Sequence, residues 1–170
     1  PRYVLLGVSF PSATTVAVAQ GIAHGIRELC KLHGGTVIGG NTTTIDGPIS
    51  LSATVIGRAE PGEIVRRRGT QAGDLIFVTG HLGHARLGLA VAREYGKVDE
   101  SSPWHSLYQA LVHPTPRVGA GRRLGQLKLA HAMCDVSDGL GRDLRRLLMP
   151  EHLGARLEGH AFPMSDVGRM

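Results

Sequence analysis

Apolar positions in the first sixty residues switch between two periods. Tyr3 to Phe10 is almost continuously apolar and is closed by Pro11, which predicts a strand. From Ser12 to Leu32 the apolar residues return at helical spacing (Val16, Ala19, Ile22, Ala23, Ile26, Leu29, Cys30), with Ser12 as a candidate cap. His33-Gly34-Gly35 stops that helix, and Thr36-Val37-Ile38 follows as a short strand ending in Gly39-Gly40-Asn41. Ile49 to Gly57 alternates as a further strand. The order is β-α-β-β.

The pattern changes at Pro61-Gly62. Arg66, Arg67 and Arg68 form a basic run, and Ala72-Gly73-Asp74 turns into a predicted strand at 75–79. Gly80-His81-Leu82-Gly83 leads into a helix at about 84–95, and a second covers about 104–112 until His113-Pro114-Thr115-Pro116 breaks it. Residues 117–127 read as helix, 131–136 as strand, 138–149 as helix, and Ala155-Arg156-Leu157 as a last strand. Irregular alternation of this kind predicts a mixed α/β (α+β) fold over a regular doubly wound one, with the domain seam around 61–73.

Chemistry gathers at one of these junctions. Leu129 to Cys134 runs apolar into Asp135-Val136-Ser137-Asp138, and Leu140, Leu144, Leu147 and Leu148 then repeat at helical spacing. Two readings compete there. Ser137 is a natural helix cap, with acids favoured in the first turn. Alternatively, two neighbouring carboxylates repel unless a cation joins them, and Mg²⁺ bound to nucleotide phosphates is such a cation. Gly39-Gly40-Asn41 is equally open: a plain turn, or a place where backbone N–H groups approach a phosphate and a polar side chain ligates a metal. The Arg66–Arg68 run is a solvated basic face, or a source of one arginine that clamps a polyphosphate in bidentate fashion. Together the glycine pair, the arginines and the paired acids suit a Mg-nucleotide cleft.

Other sites fall away. No G-x-x-x-x-G-K-[ST] is present, so this is not a P-loop protein. The segment Gly119 to Gly125 has the wrong spacing for a dinucleotide loop and follows a proline-rich break instead of a strand. Nine histidines include no H-E-x-x-H, and His81/His84 reads as surface. Neither Cys30 nor Cys134 has a neighbouring base in sequence or a metal-type spacing.

Composition narrows the class. With 42% hydrophobic residues and a mean hydropathy near zero, the 170 residues are of a globular type and long enough for one ample core or two small ones. No apolar run approaches the roughly 20 residues of a membrane span. Cysteine usage points to a reduced, cytoplasmic setting. The net charge of +5 comes mostly from arginine, which suits phosphate recognition, but 4% aromatics with no interleaving of basic and aromatic residues argues against nucleic acid as a partner. The chain starts at Pro1 within a strand-like segment and ends after another, so a piece of a longer protein is expected.

In this order, Val37-Ile38-Gly39-Gly40-Asn41-Thr42-Thr43, Arg67 to Asp74, Phe77 to Gly83, His113 to Val118 and Asp135-Val136-Ser137-Asp138-Gly139-Leu140 resemble the thiamine-monophosphate kinase family. That family falls within the aminoimidazole-ribonucleotide-synthetase-like ATP-binding superfamily. The D-x-S-D-G-L element sets it apart from its superfamily relatives. The resemblance implies that residues 1–62 are the C-terminal part of an ATP/Mg-binding, dimer-forming β-α-β-β domain. Residues 63–170 are then the N-terminal part of a second α/β domain, a mixed sheet flanked by helices. It implies ATP and thiamine monophosphate as substrates, Mg²⁺ as the metal, thiamine diphosphate as product and a homodimer as the assembly. By position, Asp135 and Asp138 match Mg²⁺ ligands and Ser137 and Arg67 ATP contacts; Gly39 and Gly40 stand beside these as candidate ATP-binding residues. Asn41 stands where the family more often has Asp, and its neutral amide oxygen weakens that metal site. No acid–base residue is implied, since the acceptor is already an ionised phosphate. Two alternatives stand beside this: a relative of the formylglycinamidine-ribonucleotide or selenophosphate synthetase type, and an inactive nucleotide-binding or dimerisation fragment.

Overall fold

The computed structural model describes residues 1–169, which divide into two compact units, one of Pro1–Pro61 and one from Gly62 onward. In the first unit, β1 (Tyr3–Phe10) feeds α1 (Val16–Leu32), which returns the chain to β2 (Thr36–Thr44) parallel to β1; β3 (Ser50–Ile56) then pairs antiparallel on the other side. The sheet order is β2-β1-β3. A parallel neighbour requires a crossover, and the helix supplies it. Thr15, not Ser12, caps α1: its side-chain oxygen accepts from the Val18 N–H at 3.4 Å. Val4 is the buried residue of β1 (5% exposed), on the same strand as Leu6, Val8 and Phe10, which line a groove against Ile22, Ala23 and other residues of α1.

The expected stop of β2 at Ile38 is corrected. Gly39, Gly40 and Asn41 lie inside the strand, opposite Leu5, Leu6 and Gly7 of β1, after a register shift between Val4 and Leu5. That shift explains a glycine. A β-carbon on Gly40 would stand 2.0 Å from the Leu6 carbonyl oxygen, so the two backbones pass closer than any side chain permits.

The second unit is helical: α2 (His84–Tyr95), α3 (His105–Val112), α4 (Val118–Leu127) and α5 (Leu140–Leu148), followed by the 3₁₀ turns Met149–Glu151 and Gly159–Ala161 and a last turn at Asp166–Arg169. Its best-buried apolar side chain is Leu107 of α3, at 2% exposure, with Val91 of α2 and Leu144 of α5 also buried. The segments 75–79, 131–136 and 155–157, expected as strands, are not strands among the described residues. A strand requires a neighbour that takes its N–H and C=O groups in alternation. Here the Met133 N–H donates to the Arg66 carbonyl at 2.9 Å, but no ladder follows, and Leu75 and Phe77 are 79% and 82% exposed. The mixed α/β class stands, with its sheet in the first unit.

Candidate functional site

The acidic junction is a turn organised by a residue the motif does not include. Gly139 precedes α5 at φ 97°, ψ 150°, a region open essentially to glycine alone. It, not Ser137, is the N-terminal boundary residue of α5. Asp143, in the first turn of that helix, sends its carboxylate back over the loop. Its Oδ2 accepts the backbone N–H of Ser137 at 3.0 Å and that of Asp138 at 2.8 Å. Its Oδ1 accepts from Arg146 Nη1 at 2.7 Å. Asp143 is the buried charged residue of the described structure, 3% exposed. A carboxylate withdrawn from water needs such partners. The Asp138 N–H bond, joined by Arg146 and the Ser137 N–H, holds its pKa below the usual carboxylate value against the opposing effect of burial.

Arg146 spans two acids. Nη2 lies 2.8 Å from Asp138 Oδ2 while Nη1 holds Asp143, a fork suited to two carboxylates at once. Arg142 approaches Asp138 only to 4.0 Å. Asp135 meets a different arginine. Arg67 Nη2 lies 3.4 Å from Asp135 Oδ1 although the two are 68 residues apart in sequence. The surrounding chain accounts for that approach: the Met133 N–H bonds to Arg66, the Gly69 N–H to Glu151 Oε1 at 3.0 Å, and the Thr70 hydroxyl to the Leu147 carbonyl at 3.1 Å. Arg67 and Asp135 are each about two-thirds exposed, so the pair is loosely held.

Arg67, Asp135, Ser137 and Asp138 thus share one region of the second unit, while Gly39, Gly40 and Asn41 lie in the first. There the latter three line the groove between α1 and the sheet, with Leu6, Val8 and Ile26. Gly39 and Gly40, expected to follow the strand, lie within it. Asp143 and Arg146 went unnoticed in the motif, though a second acid at i+5 followed by Arg at i+3 on the helix was the available signal. Beside them, burial first, then the charges of Asp143 and Asp135, push the Cys134 thiol pKa up, which disfavours the thiolate.

Asp135 and Asp138 are each joined to a guanidinium and offer hard oxygen donors. Mg²⁺ takes one or two protein carboxylates and fills its octahedron with water and phosphate oxygens, so these residues fit it. Among the described residues no group of three or more His, Cys, Asp or Glu converges on a point, so the remaining ligands would be phosphate and water.

Residues 1–59 match the family described as AIR synthase related protein, N-terminal domain. Beyond that class, nearly the whole chain is homologous to thiamine-monophosphate kinases. That of Rhodopirellula baltica is 32% identical over 98% of this chain and 45% of its own length. The crystal structure of thiamine-monophosphate kinase from Stenotrophomonas maltophilia superposes with a TM-score of 0.89 at 33% identity, covering 98% of this chain and 52% of that one. AaThiL complexed with AMPPCP and TMP gives 0.88 at 27% identity, with the same coverage of 98% and 52%. The resemblance read from the sequence is borne out, and the chain spans about half the length of the curated relatives it matches. Among the described residues no helix is long and apolar enough to cross a membrane.

Proposed function

We propose that the protein transfers the γ-phosphoryl group of ATP to thiamine monophosphate, giving thiamine diphosphate and ADP, with Mg²⁺ bound. The observation that carries this reading is the Asp135–Asp138 turn with Arg67 beside it: two carboxylates and a phosphate-seeking guanidinium in one region, in a chain homologous to thiamine-monophosphate kinases. The relative solved with AMPPCP and TMP supports the choice of substrates.

Each residue has a defined task in this reading. Asp135 and Asp138 hold Mg²⁺, Arg67 binds a phosphate of ATP through its planar fork, and the Ser137 hydroxyl contacts the nucleotide. Within the first unit, Asn41 offers a neutral oxygen donor for a metal, and Gly39 and Gly40, next to it in β2, are assigned to ATP binding. Bound Mg²⁺ offsets the negative charge that keeps two phosphate groups apart. The acceptor is an ionised phosphate, so positioning and charge neutralisation outweigh proton abstraction, and no side chain is assigned as acid or base. The protein works as a cytoplasmic homodimer in thiamine biosynthesis, and neither nucleic acid nor membrane is a partner.

The test is ADP release by the intact protein supplied with ATP and Mg²⁺, with and without thiamine monophosphate. Release that depends on thiamine monophosphate and yields thiamine diphosphate is expected. Turnover with another phosphate acceptor, and none with this one, would transfer the assignment to a synthetase-type relative.

A further inference from the structure

The metal-ligand reading leaves two residues of the turn without a task. Asp143 is buried and makes three charge-assisted hydrogen bonds, two to the backbone of the acidic loop and one to Arg146. Arg146 is half-exposed, yet both of its terminal nitrogens are engaged by acids, Asp143 at 2.7 Å and Asp138 at 2.8 Å. The Asp143 bond is anchored in a buried carboxylate. The Asp138 bond is at the surface, where ion pairs exchange readily.

Resting on the proposed Mg²⁺ role of Asp138, we propose that Arg146 is a built-in stand-in cation. Tethered by Asp143, it occupies the Asp138 carboxylate until a divalent ion takes its place. Two consequences follow from the geometry. The Asp143 bonds to the Ser137 and Asp138 N–H groups keep the loop in one shape whether Asp138 faces a guanidinium or a metal, so the site is preorganised. The guanidinium competes with the metal for one carboxylate, so cation affinity is set below what the two aspartates alone would give. Arg146 is a positioning residue and Asp143 its anchor; neither is assigned contact with substrate.

The sign of one effect separates this from a purely structural role. In the intact protein, Mg²⁺ affinity measured by calorimetric titration without nucleotide should tighten about tenfold in Arg146→Gln, because a unit charge near the metal is removed in a solvent-exposed setting. Arg146→Lys, which keeps the charge but cannot fork to two acids, should fall between Gln and the unmodified protein. Asp143→Asn should release the loop: the Ser137 and Asp138 amide protons lose protection from exchange, and Mg²⁺ binds more weakly. In both Arg146 variants Asp143 keeps its two backbone bonds and gains a side-chain donor from Gln or Lys, and thermal melting checks that each variant keeps the fold. Unchanged or weaker Mg²⁺ binding in Arg146→Gln overturns the exchange. If Asp135→Asn abolishes Mg²⁺ binding at the same time, the metal site itself still stands. Absence of Mg²⁺ binding by the unmodified protein overturns both.

Discussion

The glycine pair of β2 and the acidic turn before α5 each gather small or polar residues at the end of an apolar run, yet they fold by opposite rules. Gly39 and Gly40 continue the strand, and Gly40 is a glycine because β1 passes too close for a side chain. Asp135 to Gly139 leaves extended structure and is shaped by hydrogen bonds to a helix residue that comes later in the chain. The first is a packing constraint. The second is a loop held in shape by a buried carboxylate. Similar local composition therefore carries different meanings, and what distinguishes them is the partner: a neighbouring strand in one case, a buried carboxylate in the other.

Substitutions sharpen that contrast. The largest effect should come from Asp135→Asn in the intact protein, which keeps the shape and removes the charge of an exposed side chain. Activity should fall about a hundredfold or more with the melting temperature unchanged, as steady-state kinetics and calorimetry would show. Near-normal turnover would remove Asp135 from the metal site.

Next come the two glycines, whose effects should separate. Gly40→Ala forces its methyl into the Leu6 carbonyl and should cost about 2–3 kcal/mol of stability in denaturant unfolding. Gly139→Ala meets no neighbour within 4 Å, but it holds a backbone shape foreign to alanine, at about 1–3 kcal/mol. Only the second should also weaken Mg²⁺ binding. Equal effects on metal affinity would erase the distinction between the regions.

A smaller change is expected from Arg67→Ala, which removes one charge-assisted contact at the surface. ATP should bind about tenfold more weakly, with kcat affected less. A fall in kcat alone would assign Arg67 to the transition state instead.

The pH response is the subtlest. The Asp143 pKa is lowered in the folded protein, so its stabilisation is complete above the ordinary carboxylate pKa and is lost as pH falls through the folded value. Asp143→Asn should flatten the acid limb of the stability curve. His84 acts in the same direction nearer neutrality. Burial, then His81, lowers its pKa, so the unfolded chain takes up the proton first and stability declines as pH drops below the ordinary histidine value. A stability curve unmoved by Asp143→Asn would show that this carboxylate gains nothing from its partners.

Much of this was legible from the chain. The helix at 84–95 and the one that ends before His113 appear where periodicity and the Pro114 break place them, and β1 spans Tyr3–Phe10 as its apolar run predicts. Local signals sufficed because helices satisfy their own backbone. Strands do not. Gly39-Gly40 reads locally as a turn, and only the shifted register against β1 makes it strand. The segments 75–79 and 131–136 carry strand composition without a ladder. At the acidic turn, the spacing of Asp135 and Asp138 was visible, but the burial of Asp143 and the fork of Arg146 arise only when α5 folds back over the loop.

The most direct test of the central claim is ATP binding to the intact protein, measured by titration with and without Mg²⁺, in the unmodified chain and in the Asp135→Asn/Asp138→Asn double variant. Mg²⁺ should tighten ATP binding in the unmodified protein and have no effect in the variant. Equal enhancement by Mg²⁺ in both would show that these aspartates do not hold the metal.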